Sequence, residues 1–115
     1  MAAEPIDSAT FMELKETAGA DFVAELVDTF RVEAPAMIAE LRSAYDAGDA
    51  ERFRRNAHSL KSNGNTFGAL GLATLARQLE LGGIEPVRAA AGAPLDALNA
   101  EYARVAQALA ELARG

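Results

Sequence analysis

The chain has 115 residues, enough for one domain with a hydrophobic core and too few for two ordinary domains, so we predict a single domain over residues 1–115. It contains no cysteine and no apolar run near the roughly 18–20 residues that span a bilayer, which excludes disulfide chemistry and an integral membrane protein. The net charge of −6 argues against nucleic acid, and the N-terminal MAAEPIDSAT lacks the basic and apolar regions of a signal peptide, so we expect a cytoplasmic protein with a protein partner.

The first half of the chain predicts two helices. Asp7 can cap a short first helix that ends near Ala18. From Asp21 to Tyr45, apolar residues recur every three or four positions, which predicts one long amphipathic helix. Pro35 lies inside this pattern, and we expect it to kink the helix rather than to divide it in two.

The second half predicts two helices joined by a turn. The pair Gly48-Asp49 ends one helix and begins the next, so a third helix is predicted over 50–66, antiparallel to the second. A fourth helix follows the turn near Gly68, carries apolar residues at helical spacing over 72–79, and ends at the glycine pair 82–83.

The C-terminal third predicts one further long helix. Residues 83–94 contain two prolines and a glycine, so we predict only a partial helix there. From Leu95 one apolar stripe continues to the C-terminus. Four long helices with short turns predict an all-α fold, an antiparallel up-down-up-down four-helix bundle whose short N-terminal helix covers one end. Because the apolar stripes are all used internally, we expect a monomer.

His58 is the only histidine of the chain and lies on the third helix. Each residue of a helix is rotated by about 100° around the axis from the one before it. Phe53 and the residues within roughly 40° of it form a face that is predicted to be buried. This face holds Phe53, Ala57, Leu60, Gly64 and Phe67. His58 is rotated by about 140° from Phe53 and is therefore predicted to face solvent.

The predicted neighbours of His58 on the helix are small or charged, and include Glu51. Ser62 and Asn65 share its face, so a second macromolecule can approach the ring. Lys61 and Arg54 supply positive charge, which stabilises an arriving anion and disfavours the imidazolium form, leaving a nitrogen lone pair available. The surroundings of His58 indicate a nucleophile that accepts phosphate.

Other chemistries of a lone histidine are less favoured. A metal site needs further strong ligands, so we expect neither a metal nor another cofactor. A Ser-His-Asp arrangement is not excluded by residue counts, but no nucleophile elbow is visible. The run GNTFGALG is not preceded by a strand or followed by GK[ST], as a phosphate-binding loop would be.

The stretch AHSLKSNGNTFGALGLATLARQLE closely resembles the signature of histidine-containing phosphotransfer (HPt) domains. That signature has HxxK, small residues, a glycine ten positions after the histidine, and a leucine-rich helix. Here His58, Lys61 and Gly68 occupy these positions. The resemblance covers essentially the whole chain apart from residues 83–94. Ser62 stands where many members have glycine.

The resemblance implies a carrier without its own catalytic machinery. In that family His58 would be the phosphoacceptor and Lys61 would lie close to the phosphoryl group, while Ser62 and Asn65 would admit the partner. Mg²⁺ and the reacting aspartate would reside on the receiver domain of a response regulator.

We assign the remaining candidate residues to docking and structure. The arginines Arg54 and Arg55 are predicted to contact the partner. The glycines Gly64 and Gly68 are predicted to serve helix packing and the turn rather than ligand contact.

The predicted function is reversible phosphoryl relay. Nε2 of a neutral His58, which projects farther from the helix than Nδ1, attacks an aspartyl phosphate in line. The donor is a receiver domain or a histidine kinase, and the acceptor is another receiver aspartate. Two alternatives stay open: an HPt-like interaction module that acts by occupancy, and a phosphatase-type regulator of a response regulator.

Overall fold

The computed structural model describes residues 4–114, and the side chains of residues 4–113. These residues form helices without any strand, which confirms the predicted all-α class. The helices within the described range are α1 (Ser8–Ala18), α2 (Ala20–Ala47), α3 (Ala50–Phe67), α4 (Leu70–Gly82), α5 (Ile84–Ala89) and α6 (Ala93–Arg114). Over that same range, no helix has the length and apolar character needed to span a membrane.

Local signals set the helix ends. The Asp7 and Asp49 carboxylates each accept a backbone N–H from the first turn of α1 and α3, respectively. Gly48 and Gly68 follow α2 and α3 with φ angles of 70° and 79°, a left-handed conformation that glycine adopts without a Cβ clash. Two residues therefore suffice to join α2 to α3 and α3 to α4.

The second helix is continuous. It runs through Pro35 without a break, so the prediction of one helix rather than two is confirmed. The third helix ends at Phe67, one residue beyond the predicted end.

The segment after α4 contains the predicted partial helix as α5. It ends before Ala91 and Gly92, which have φ angles of 54° and 84°. The last helix begins at Ala93, two residues before the predicted start at Leu95. Pro94 is accommodated because the first turn of a helix needs no N–H at that position.

The core lies between α2, α3, α4 and α6. Helix α3 packs against α2 and α4, and α6 packs against the same two helices. The largest fully buried side chains are Phe11, Phe53, Leu41, Leu60, Leu72, Leu95, Leu98, Leu109, Val23, Val27, Val87 and Val105. Burial of a Leu or Phe side chain contributes about 1.5–3 kcal/mol, so Phe53 and Leu60 each favour the rotation of α3 that places them in the core.

Helices α3 and α4 approach closely at Gly64. A Cβ added there would lie 3.3 Å from the Ala69 carbonyl oxygen and 3.4 Å from the Ala73 nitrogen. At Gly68, an added Cβ would lie 2.9 Å from Thr10 Cβ on α1. The absence of a side chain at these glycines lets α4 and α1 lie directly against the helix that carries His58.

Candidate functional site

His58 projects from α3 into solvent, as the helical projection predicts. Its side chain is 54% exposed, whereas Phe53, Ala57 and Leu60 on the opposite face are fully buried. The ring is therefore open to a macromolecular partner while the backbone that carries it is fixed by the core.

Glu80 on α4 links the two residues that the sequence singled out. Its Oε2 lies 2.7 Å from His58 Nδ1, and its Oε1 lies 2.8 Å from Lys61 Nζ. The Glu80 side chain is only 13% exposed, so this carboxylate lies in the groove between α3 and α4. One carboxylate thus holds both candidate functional side chains.

The contact with Glu80 determines which nitrogen of the ring is free. An ionised carboxylate only accepts hydrogen bonds, so the His58 nitrogen at 2.7 Å from it must carry the proton. In the neutral ring, the other nitrogen, Nε2, then has the lone pair. The geometry therefore leaves Nε2 as the ring nitrogen without a contact to Glu80.

The charge state of Glu80 is set by its two partners. The hydrogen bond from Lys61 lowers the pKa of Glu80, and the hydrogen bond from His58 lowers it further, against the opposing effect of desolvation. Glu80 is therefore ionised at neutral pH and is available as an acceptor.

The basic residues predicted around His58 have different surroundings. The Arg54 guanidinium lies 2.6 Å from a Glu51 carboxylate oxygen, and this hydrogen bond raises the pKa of Arg54. Arg55 is exposed and makes neither a hydrogen bond nor an ion pair with the described part of the chain. Glu80, which the sequence did not single out, adds a carboxylate in direct contact with the ring.

The small residues of the predicted docking face lie at the surface. Ser62 and Asn65 are both exposed. The Ser62 backbone carbonyl accepts a hydrogen bond from the Thr66 hydroxyl, so the α3 backbone continues regularly past this position. Both exposed side chains on this part of α3 are short.

Sequence reasoning missed Glu80, although it lies within the stretch that carries the resemblance. It is the only acidic residue of α4, 22 positions after His58. Its helical spacing places it beside the core stripe of α4, but spacing within one helix does not say which residue of another helix it meets. The close approach of α3 and α4 at Gly64 makes this contact possible.

Comparison with known proteins places the chain in a family. The Hpt domain model matches residues 25–114, and the chain therefore belongs to the Hpt domain family. Its fold is similar to the crystal structure of histidine-containing phosphotransfer protein B (HptB) from Pseudomonas aeruginosa PAO1. The TM-score is 0.87 at 26% sequence identity, over 98% of this chain and 97% of that chain. A search of curated proteins gives no match.

Family membership and the structural similarity together establish the class of function. The chain has a histidine phosphotransfer role in a phosphorelay.

Proposed function

We propose that His58 is the phosphoacceptor of this relay. It accepts a phosphoryl group from the aspartyl phosphate of a receiver domain, or from a histidine kinase, and passes it to the aspartate of another receiver. The observation that carries this proposal is the exposed imidazole whose Nδ1 lies 2.7 Å from the Glu80 carboxylate, with Nε2 left as the nucleophile. His58 is also the only histidine of the chain.

The transfer step exchanges one bond at phosphorus for another. The Nε2 lone pair attacks the phosphorus in line, the N–P bond forms, and the P–O bond to the aspartyl carboxylate breaks, so the carboxylate stays on the receiver. The proton on Nδ1 remains there throughout. The positive charge that develops on the ring during attack is stabilised by Glu80, and the reverse step releases a neutral imidazole.

Lys61 is placed to neutralise the transferred group. Its side chain is 25% exposed, and its Nζ pairs with the Glu80 carboxylate, which also contacts His58. The lysine side chain is flexible, so Nζ can turn from Glu80 to a phosphoryl oxygen on the neighbouring ring. A loose phosphoryl-transfer transition state needs mainly this kind of positioning and charge neutralisation.

The architecture we propose for this role is a monomeric carrier. We infer that α2, α3, α4 and α6 run up-down-up-down as an antiparallel four-helix bundle, and α1 covers one end. The closed ring of helix contacts and the two-residue connections support this topology. The receiver supplies Mg²⁺ and the reacting aspartate, and the exchange takes place in the cytoplasm.

The experiment is label transfer from a phosphorylated receiver to the wild-type protein and to His58→Gln. We expect label on the wild-type protein only, stable in base and lost in acid, and equal helical content of both proteins by circular dichroism. Label on the variant would refute the assignment of His58. Repeated release of inorganic phosphate from the receiver would instead indicate a phosphatase-type regulator, and binding without any label would indicate an interaction module.

A further inference from the structure

Arg77 on α4, three residues before Glu80, has no hydrogen bond or ion pair to the described residues. Within the described residues, ion pairs hold most basic side chains: Arg42–Asp96, Arg52–Glu40, Arg54–Glu51, Lys61–Glu80, Arg88–Glu85 and Arg104–Glu101. Arg77, by contrast, is exposed. It is also the only basic residue of α4.

The position of Arg77 follows from the contacts of α4 with α3. Gly64 lies next to Ala73, and His58 lies next to Glu80, so Arg77 passes α3 between these two contacts. Arg77 precedes Glu80 by three residues, and such residues are neighbours on a helix surface.

Arg77 faces the same outer surface as His58. Around the axis of α4, Glu80 is rotated by about 80° from the buried Leu72, and Arg77 by about 140°. Arg77 therefore lies on the same side as Glu80 but farther from the core. On α3, Lys61 and His58 fall at about 80° and about 140°, again on the side that meets α4. Arg77 and His58 therefore both project outward, on either side of the contact between α3 and α4.

Arg55 lies on the other side of His58. It falls at about 200° on α3, away from α4, and like Arg77 it lacks an ion pair to the described residues. Each of the two helices thus carries, one turn from His58 or Glu80, an exposed arginine without an ion pair or hydrogen bond to the described residues. The positive charges of Arg55 and Arg77 repel each other, and an anionic partner would relieve this repulsion.

The partner surface that meets His58 is expected to be acidic. A receiver that holds Mg²⁺ beside its phosphorylated aspartate needs several oxygen ligands, so carboxylates surround its pocket. The present chain carries a net charge of −6, and its long-range field repels such a surface. Local positive charge around His58 is therefore needed for rapid and oriented docking.

We propose that Arg77, together with Arg55, docks on the acidic rim of the receiver's phosphorylation pocket and contributes to the choice of receiver. The planar guanidinium suits this role because it pairs with a carboxylate through two parallel hydrogen bonds. The inference rests on the proposed function, since it assumes that a receiver approaches His58.

The test compares Arg77→Glu with Arg31→Glu, which makes the same change in net charge. Arg31 is exposed on α2, and its side chain likewise has no ion pair or hydrogen bond to the described residues. Each protein is first phosphorylated with phosphoramidate, a small donor that needs no docking surface. Transfer is then measured against the concentration of the purified receiver that reacts fastest with the wild-type protein.

We expect Arg77→Glu to raise the half-saturating receiver concentration about tenfold, with the rate at saturation and the labelling by phosphoramidate close to wild type. High salt should reduce this difference. Arg31→Glu should behave as wild type, and Arg77→Lys should recover part of the affinity.

Three results would overturn the docking role. Equal effects of Arg77→Glu and Arg31→Glu would show that only net charge matters, and wild-type behaviour of Arg77→Glu would show that the residue is not used. A lower rate at saturation with unchanged affinity would place Arg77 at the phosphoryl group instead. Failure of the wild-type protein to take label from phosphoramidate at all would contradict the proposed function itself.

Discussion

The inner and outer faces of α3 are built from the same 18-residue helix but depend on different parts of the chain. The inner face is fixed by apolar burial, and Phe53 and Leu60 are fully buried there. The outer face depends on a polar contact with another helix, since His58 and Lys61 both meet Glu80 of α4. The inner face thus holds α3 in place, and the contact with Glu80 of α4 fixes the orientation of the His58 ring.

The largest effect expected in this comparison comes from the inner face. Leu60→Ala removes a fully buried side chain, and such changes destabilise proteins by about 2–5 kcal/mol. Urea unfolding monitored by circular dichroism measures this loss. The fraction that stays folded should still accept phosphate, because the substitution leaves the outer face unchanged. A loss below about 1 kcal/mol would show that this face does not fix α3.

On the outer face, Glu80→Ala should slow phosphoryl transfer to His58 by about tenfold, because Nδ1 loses its acceptor and both ring tautomers become populated. Glu80→Gln should fall between this variant and wild type, since an amide oxygen still accepts a hydrogen bond but carries no charge. Rapid-quench label transfer at saturating receiver measures the rates.

Glu51→Gln is the matched control for these variants, because Glu51 pairs with Arg54 on the same helix. It should transfer at the wild-type rate. If Glu80→Ala were as fast as Glu51→Gln, Glu80 would have no part in orienting the ring.

The dependence of the free energy of unfolding on pH should show the contribution of the Glu80 carboxylate. Its pKa lies below the ordinary value of 4.5 in the folded protein, mainly because of the Lys61 hydrogen bond. Between the pKa of Glu80 in the folded protein and its ordinary pKa, the folded state therefore binds fewer protons than the unfolded state. The stabilisation is present above pH 4.5 and is lost as pH falls through the folded pKa. As pH falls, the free energy of unfolding of wild type should approach that of Glu80→Gln. A difference between the two proteins that does not change with pH would contradict the ion pair.

The smallest effect is expected for Arg54→Ala. Arg54 is held by Glu51 three residues earlier, in a pair whose side chains are at least half exposed. We therefore expect its removal to change the half-saturating receiver concentration by less than about twofold, unlike the change at Arg77. A larger loss than that of Arg77→Glu, measured in the same titration, would return the docking role to Arg54.

The inner face of α3 could be predicted from the sequence, and much of the outer face could not. Helical periodicity is a property of one segment, so it placed Phe53 inside and His58 outside correctly. The contact of His58 with Glu80 depends on the axial position and the rotation of α4 relative to α3. That register is set by the close approach of Gly64 to Ala73, which no spacing within one helix reveals.

The segment after α4 shows a second limit of the sequence. The two prolines of residues 83–94 predicted an interrupted helix, and α5 is followed by a turn before α6. The turn includes Ala91 at a φ of 54°, a conformation that alanine rarely adopts and that no composition rule predicts. Local context overrides the residue's intrinsic preference at this position.

The most direct test of the central claim is long-range ¹H–¹⁵N NMR of the imidazole before and after phosphorylation. His58 is the only histidine, so its two ring nitrogens give an unambiguous spectrum. The structure predicts a proton on Nδ1 in the free protein and the phosphoryl group on Nε2 after transfer. A phosphoryl group on Nδ1, or on any residue other than His58, would contradict the account.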